Sequence, residues 1–293
     1  MSKAHASLFL TNVEGFLKAA GYPVPTRETD ENSRRTPSRG APVCVLFSPH
    51  PDDEVVAGPL AWRLSQFYGW RVVNVAVTLG SRLDRRSARW AEQKNCCEFL
   101  GFELVSASAT PGEGLEGIHP NQALEQTDIW KSAVSRVTEI LNALQPSVII
   151  CPHELDGHPT HIATNLLIRE ALPAAITGAV DVFFSEYWNT QLCPQLAVEL
   201  DPSDVATLMD GLALHKGEIA RNPYHLLLPA WFMDSARRGA ERVQPIGSEG
   251  FKFPFACLYG WKRWEQSEWT NPNPFVWRTK DKAWPSSMLE AQT

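Results

Sequence analysis

From residue 43 to residue 187 the apolar positions follow two alternating rhythms. Short continuous runs, Val43-Cys44-Val45-Leu46-Phe47, Val72 to Thr78, Ser147-Val148-Ile149-Ile150-Cys151 and Val180 to Tyr187, read as strands buried on both faces. Between them lie stretches with helical character: about Asp53 to Phe67, Arg85 to Leu100, Ile129 to Leu144, and His158 to about Leu172. Gly101 suits the position just past a helix end. Phe102 to Ser106 adds a short strand, and residues 108–127, with Gly112, Gly114, Gly117 and Pro120, read as a loop. Pro59 is an anomaly, because it falls in the second turn of the first of these helices.

Strands that alternate with helices predict an α/β fold, a Rossmann-like, mostly parallel sheet with helices on both faces. The chain on either side reads differently. Met1 to Gly21 forms an amphipathic helix around Leu8-Phe9-Leu10, Val13, Phe16 and Leu17, and residues 22–41 form a polar, Pro-containing loop. Asp201-Pro202-Ser203 opens a helix running to about Arg221. Beyond it Trp261, Trp264, Trp269, Trp277 and Trp284 mark a Trp- and Pro-rich C-terminal extension. The expected organisation is an N-terminal helix and linker over 1–41, the α/β domain over 42–250, and an extension packed on it over 251–293.

Composition narrows the classes. The 293 residues are 44% hydrophobic and 20% charged, enough for a sizeable core. A formal net charge of −6 argues against nucleic acid as a partner. No apolar run is long enough to span a bilayer, and Asn12, Glu14 and Lys18 interrupt the N-terminal apolar residues, unlike a signal peptide. The expectation is a cytoplasmic protein with no membrane partner, compatible with a homo-oligomer. None of the six cysteines forms a C-x-x-C pair, so they read as structural thiols.

The chemistry concentrates in two segments. Ser48-Pro49-His50-Pro51-Asp52-Asp53-Glu54 puts one His and three carboxylates where a strand hands over to a helix. Buried carboxylates that close repel unless a cation or a proton neutralises them. The second segment, Cys151 to His161, carries His158 and His161 three positions apart at a predicted helix start. Both segments follow strands, so both fall on the carboxyl edge of a parallel sheet, where ligands collect. A catalytic zinc takes three protein ligands and leaves a position for water. His50, Asp53 and one His of the second pair meet that count. His153 reads as a bystander.

These residues resemble the LmbE/PIG-L family of zinc-dependent N-acetylglucosaminyl de-N-acetylases. The family's [A/S/P]-H-P-D-D-E motif stands at Pro49–Glu54 and its H-x-x-H motif at His158–His161. Its T-x-G turn looks like Thr78-Leu79-Gly80, its R-x-x-E and L-G elements like Arg89, Glu92 and Leu100-Gly101, its later His helix like Leu212 to Glu218, and its R-G like Arg238-Gly239. The resemblance implies His50, Asp53 and His161 as zinc ligands, Asp52 as general base toward zinc-bound water, and His158 as general acid or oxyanion stabiliser. It suggests Arg89 and His215 as substrate-binding residues and a small-molecule amino sugar or glycoconjugate as substrate. Against this, Arg89 also reads as an ion-pair partner of Glu92, and His215 as a solvated helix position. The tail tryptophans read as cement for the tail rather than as a sugar platform.

The chain departs from the family pattern at two positions. Thr160 replaces the Asp of H-P-D-H, which leaves Asp156 as the nearest carboxylate to tune His158, and Gly58-Pro59 replaces Gly-Gly. The leading expectation is a zinc deacetylase. Its rivals are a zinc amidase for another acyl group or conjugate amide, and a non-catalytic metal- or sugar-binding module. A His₂Asp site also suits divalent ions other than zinc.

Overall fold

The computed structural model describes residues 2–21 and 37–281. Trp284 and most of the expected linker lie outside the described residues. The chain opens with α1 (Ser2–Ala19), β1 (Val43–Ser48), α2 (Asp53–Val56), α3 (Pro59–Tyr68) and β2 (Arg71–Ala76). Next come α4 (Arg86–Leu100), β3 (Glu103–Ser106), α5 (Pro120–Glu125), α6 (Asp128–Leu144), β4 (Val148–Pro152), α7 (Pro159–Ala175) and β5 (Val180–Ser185). The last part holds β6 (Leu196–Leu200), α8 (Pro202–Leu212), α9 (Lys216–Ile219), α10 (Tyr224–Arg242), β7 (Phe255–Glu265), β8 (Glu268–Thr270) and β9 (Phe275–Trp277).

The strands form one mixed sheet in the order β3-β2-β1-β4-β5-β7-β6-β9, with β8 paired to β7. From β3 to β5 every pairing is parallel. The continuous apolar runs sort by period two, because successive strand side chains face opposite ways. Cys44 and Leu46 of β1 join Val148 and Ile150 of β4 in one core, under α2, α3, α4 and α8. Val45 and Phe47 join Ile149 and Cys151 in the other, under α6 and α7. β1 lies between β2 and β4, so the chain leaves it on one side and returns on the other. The carboxyl ends of β1 and β4 therefore flank a topological switch point, where a cleft opens in sheets of this kind.

Several sequence expectations are revised by the structure. The stretch 108–127, read as a loop, carries α5, which His119 caps and Pro120 opens. The helix expected over 53–67 is two helices. A Cβ on Gly58 would stand 1.9 Å from the Glu54 carbonyl oxygen, and Pro59 opens α3, where its missing N–H costs nothing. Tyr259 of β7 bridges the break: its hydroxyl accepts from Leu60 N–H (3.1 Å) and donates to Ala57 O (2.9 Å). The helix expected from 201 to 221 breaks between α8 and α9, and α10 follows where no helix was expected; Pro229 within it reads as a breaker. Finally, β7 lies beyond residue 250 yet sits inside the sheet, antiparallel to both β5 and β6. Its run Phe255-Ala256-Cys257-Leu258-Tyr259-Gly260-Trp261 is buried throughout, a strand signal masked by the Trp and Pro content around it.

Candidate metal centre and cleft

The cleft at the switch point is a cavity of about 550 Å³, and its floor includes His50, Asp52, Asp53, His158 and His161. The turn after β1 carries the first three. Asp52 has φ 113° and ψ −25°, a left-handed conformation that is unusual for a residue with a side chain and costs about 1–3 kcal/mol. Its N–H donates to Glu54 Oε2 at 3.0 Å. Glu54 is itself buried, with Oε1 2.6 Å from His215 Nε2 and Oε2 accepting from Gln93 Nε2 at 3.2 Å. Cys96 completes this buried group behind the turn. Thr78 ties the β2 turn to the β1 turn, donating Oγ1–H to Pro49 O at 2.7 Å.

Three donor atoms converge. His50 Nδ1 is 3.2 Å from His161 Nε2, Asp53 Oδ2 is 3.4 Å from His161 Nε2, and His50 Nδ1 is 3.7 Å from Asp53 Oδ2. Donors at about 2.1 Å in a tetrahedral shell stand about 3.4 Å apart. The triangle thus has the dimensions of one face of such a shell. His161 Nδ1 lies 3.2 Å from Asp156 Oδ1, and a carboxylate there places the proton on Nδ1 and leaves the Nε2 lone pair for the triangle. The His158 ring also stands within ligand reach of both other imidazoles.

The electrostatics suit a cation. Burial, then the charge on Asp53, drives the Asp52 carboxyl well above its usual range. Burial pushes Asp53 up to about 6, against the pull of His161. Burial holds His50 well below the usual imidazole range, with His161 and His158 adding to it, so it is a neutral donor. For His161 burial acts downward, but Asp53 and Asp156 outweigh it and raise the ring. Glu54 is held low despite burial because His215 faces it. Two adjacent buried carboxyls and converging imidazoles fit a divalent ion.

His158 caps α7: its Nδ1 accepts from Thr160 N–H at 3.2 Å, so the neutral ring carries its proton on Nε2. Burial and then His161 lower its pKa; Asp156 opposes this, although its carboxylate contacts the backbone N–H of His158 rather than the ring. His153 faces away from the cavity, with Nε2 on Asn189 O at 3.0 Å.

Arg89 lines the cavity, but no pair with Glu92 forms. It donates to Leu79 O and Pro51 O and lies 3.5 Å from Glu218. His215 is neither in the cavity lining nor solvated. It is fully buried against Glu54, so its expected contact with substrate is replaced by one with the turn that carries Asp52. Of the tail tryptophans, Trp261, Trp264 and Trp277 are buried: Trp261 donates to Asp181, and Trp277 lies under Arg63. The aromatic walls are instead Tyr187, Trp188 and Tyr224. Tyr187 packs edge-on against His161 and Trp188 stacks on His158. Arg238 anchors their loop through Glu186, with contacts of 2.6 and 3.0 Å. Their position just past β5, on the same carboxyl edge, was the signal available in the sequence. Arg85, Glu218 and Arg221 also line the cavity; Glu218 closes the Leu212 to Glu218 segment singled out in the sequence, and no motif marks the two arginines.

Residues 45–172 match the family model described as GlcNAc-PI de-N-acetylase (PIG-L). The match spans less than half of the chain. The matched segment contains every residue of the donor triangle together with Asp52 and His158, whereas Tyr187, Trp188, Glu218 and Arg221 lie beyond it. In structure the chain is similar to the conserved protein TT1542 from Thermus thermophilus, with TM-score 0.54 and 16% identity, covering 83% of this chain and 100% of that one. It is similar to N,N'-diacetylchitobiose deacetylase from Pyrococcus horikoshii, with TM-score 0.53 and 17% identity, covering 80% and 89%. It is also similar to GalB, the 4-carboxy-2-hydroxymuconate hydratase from Pseudomonas putida, with TM-score 0.55 and 17% identity, covering 75% and 95%. At these identities the likeness establishes the fold. Comparison with curated proteins finds no match. No described helix is long and apolar enough to cross a membrane.

Proposed function

We infer that this protein is a zinc-dependent hydrolase that removes an N-acetyl group from an amino-sugar-containing molecule. The observation that carries the reading is the donor triangle with the buried Asp52 carboxylate beside it on the floor of one cavity. The fold alone does not choose the reaction, since a hydratase and a deacetylase resemble it equally well. The PIG-L match and the residue chemistry favour the deacetylase.

His50, Asp53 and His161 would hold the ion. When bound, it supplies Lewis acidity toward an amide carbonyl and lowers the pKa of water to about 7. Asp52 takes the proton from the attacking water and returns it to the departing amine. Its strained backbone, held by Glu54, fixes the carboxylate relative to Asp53, the next residue in the chain. His158 offers Nε2–H to the developing oxyanion. Asp156 keeps His161 in the ligating tautomer. Tyr187 and Trp188 shield the donor triangle from water and give a sugar ring an apolar face.

The test is acetate release by the zinc-loaded protein from N,N'-diacetylchitobiose and simple N-acetylglucosaminides. Asp52→Ala is expected to lower turnover by about 10²–10⁴-fold while elemental analysis still finds the metal. Undiminished turnover in the variant would refute the role of Asp52. Silence of the metal-loaded wild type would refute the substrate reading.

A further inference from the structure

The cavity has a second pole made of guanidinium groups. Arg82, Arg85, Arg86, Arg89 and Arg221 all line it, in a chain whose formal net charge is −6. Several of these charges are balanced locally. Arg82 pairs with Asp84 at 2.6 Å, and Arg86 lies 3.4 Å from Glu116. The remaining three share one carboxylate. Glu218 Oε1 is 3.1 Å from Arg85 Nη1 and 3.5 Å from Arg89 Nε, and its Oε2 is 2.7 Å from Arg221 Nη2. Even with Arg89 set against Asp52, whose carboxylate feels its charge, Arg85 and Arg221 outnumber Glu218 two to one.

These groups are seated rather than loose. The Glu218 side chain is only 3% exposed, so the anchor is fixed. A Cβ on Gly217 would stand 1.9 Å from Arg85 Nη2, and a Cβ on Gly80 would stand 2.2 Å from Arg89 Nη1. Both glycines make room for a guanidinium against the backbone. The Arg85 guanidinium makes one hydrogen bond among the described residues, from Nη1 to Glu218, and its other N–H groups face the cavity side. Arg221 is 63% exposed at the mouth. A purely structural brace needs one cation per buried carboxylate. An excess of planar donors opening into a cleft is the chemistry that recognises carboxylate or phosphate.

We propose that Arg85 and Arg221, anchored on Glu218, form a subsite for an anionic group, a phosphate or a carboxylate, carried by the part of the substrate remote from the amide. This rests on the deacetylase reading for its placement: the amide lies at the His50–Asp53–His161 end and the anion at the arginine end of the same cavity. The subsite makes the preferred substrate an acidic amino-sugar conjugate rather than a neutral oligosaccharide.

The experiment compares kcat/KM for acetate release from three compounds: methyl N-acetylglucosaminide, N-acetylglucosamine 1-phosphate, and an N-acetylglucosaminide of glycolic acid. Wild type should favour at least one acidic compound over the methyl glycoside by about tenfold or more, and Arg85→Gln/Arg221→Gln should collapse that ratio. The two acidic arms separate phosphate from carboxylate. Arg221→Gln alone, at an exposed position, covers a double variant that fails to fold. Equal efficiency for neutral and acidic compounds, or a ratio unchanged in the variants, overturns the proposal. If no compound releases acetate from metal-loaded protein, the deacetylase reading fails, and calorimetric binding of N-acetylglucosamine 1-phosphate decides the subsite. Binding weakened tenfold or more in the variants upholds it, and unchanged binding overturns it.

Discussion

Tyr259→Phe isolates one hydroxyl in the middle of the molecule. The ring is fully buried in the β5–β7 layer and packs edge-on against Phe183, with centroids 6.3 Å apart. Phe preserves that packing. What disappears is the bridge across the α2–α3 break, because the hydroxyl both accepts from Leu60 N–H and donates to Ala57 O. Neither group has a neighbouring turn to fall back on, since Gly58 and Pro59 interrupt the helix. A buried polar group left without a partner costs about 1–3 kcal/mol. Two such groups, partly relieved by local adjustment, put the loss at about 2–4 kcal/mol. Urea unfolding followed by tryptophan fluorescence measures it as a fall in midpoint at constant slope. A loss below about 0.5 kcal/mol would show that the break is satisfied otherwise and would refute the bridging role. The α2 turn also carries Asp52 and Asp53, so the variant should lose more activity than its folded fraction predicts.

Three further outcomes follow from the geometry. Asp156→Asn should weaken metal affinity about 10–100-fold in competition with a chelating dye, because His161 loses the carboxylate that fixes its tautomer; unchanged affinity would contradict that role. Arg238→Met should cost up to about 3 kcal/mol and raise KM more than it lowers kcat, since it frees Glu186 and with it the Tyr187–Trp188 wall; an unchanged KM would detach that loop from substrate binding. Gly58→Ala should cost at least about 2 kcal/mol by thermal or chemical denaturation, given the 1.9 Å approach to Glu54 O, and a neutral result would mean the break is pliable.

The parallel half of the sheet was legible because each strand is one short apolar run and helical stretches separate the strands. That the residues of the candidate centre would meet was legible for a local reason: His50, Asp52 and Asp53 are packed into one turn, and His158 and His161 into another. The arginine pole was not. Arg85 and Glu218 are brought together across 133 positions by separate elements, and neither spacing nor residue type marks them as partners. His215 was misplaced for a related reason. Its helix context suggested an exposed position, whereas the break between α8 and α9 turns it inward onto Glu54. Strand β7 was hidden by composition, since tryptophan and proline around 261–277 resemble a tail more than a central strand.

His50 and His161 stand 111 positions apart and meet only because β1 and β4 are neighbours in the sheet. Three register pairs, Cys44 with Val148, Val45 with Ile149 and Leu46 with Ile150, hold that alignment. No fragment ending before β4 can present the complete triangle, and on a ribosome the centre is unattainable until α7 has emerged. On the metal-centre reading, capture of the ion is therefore a late step in the folding of this chain. Added during refolding, a coloured ion such as cobalt would report the moment the two halves of the parallel sheet zip together, as a clock built into the protein by its topology.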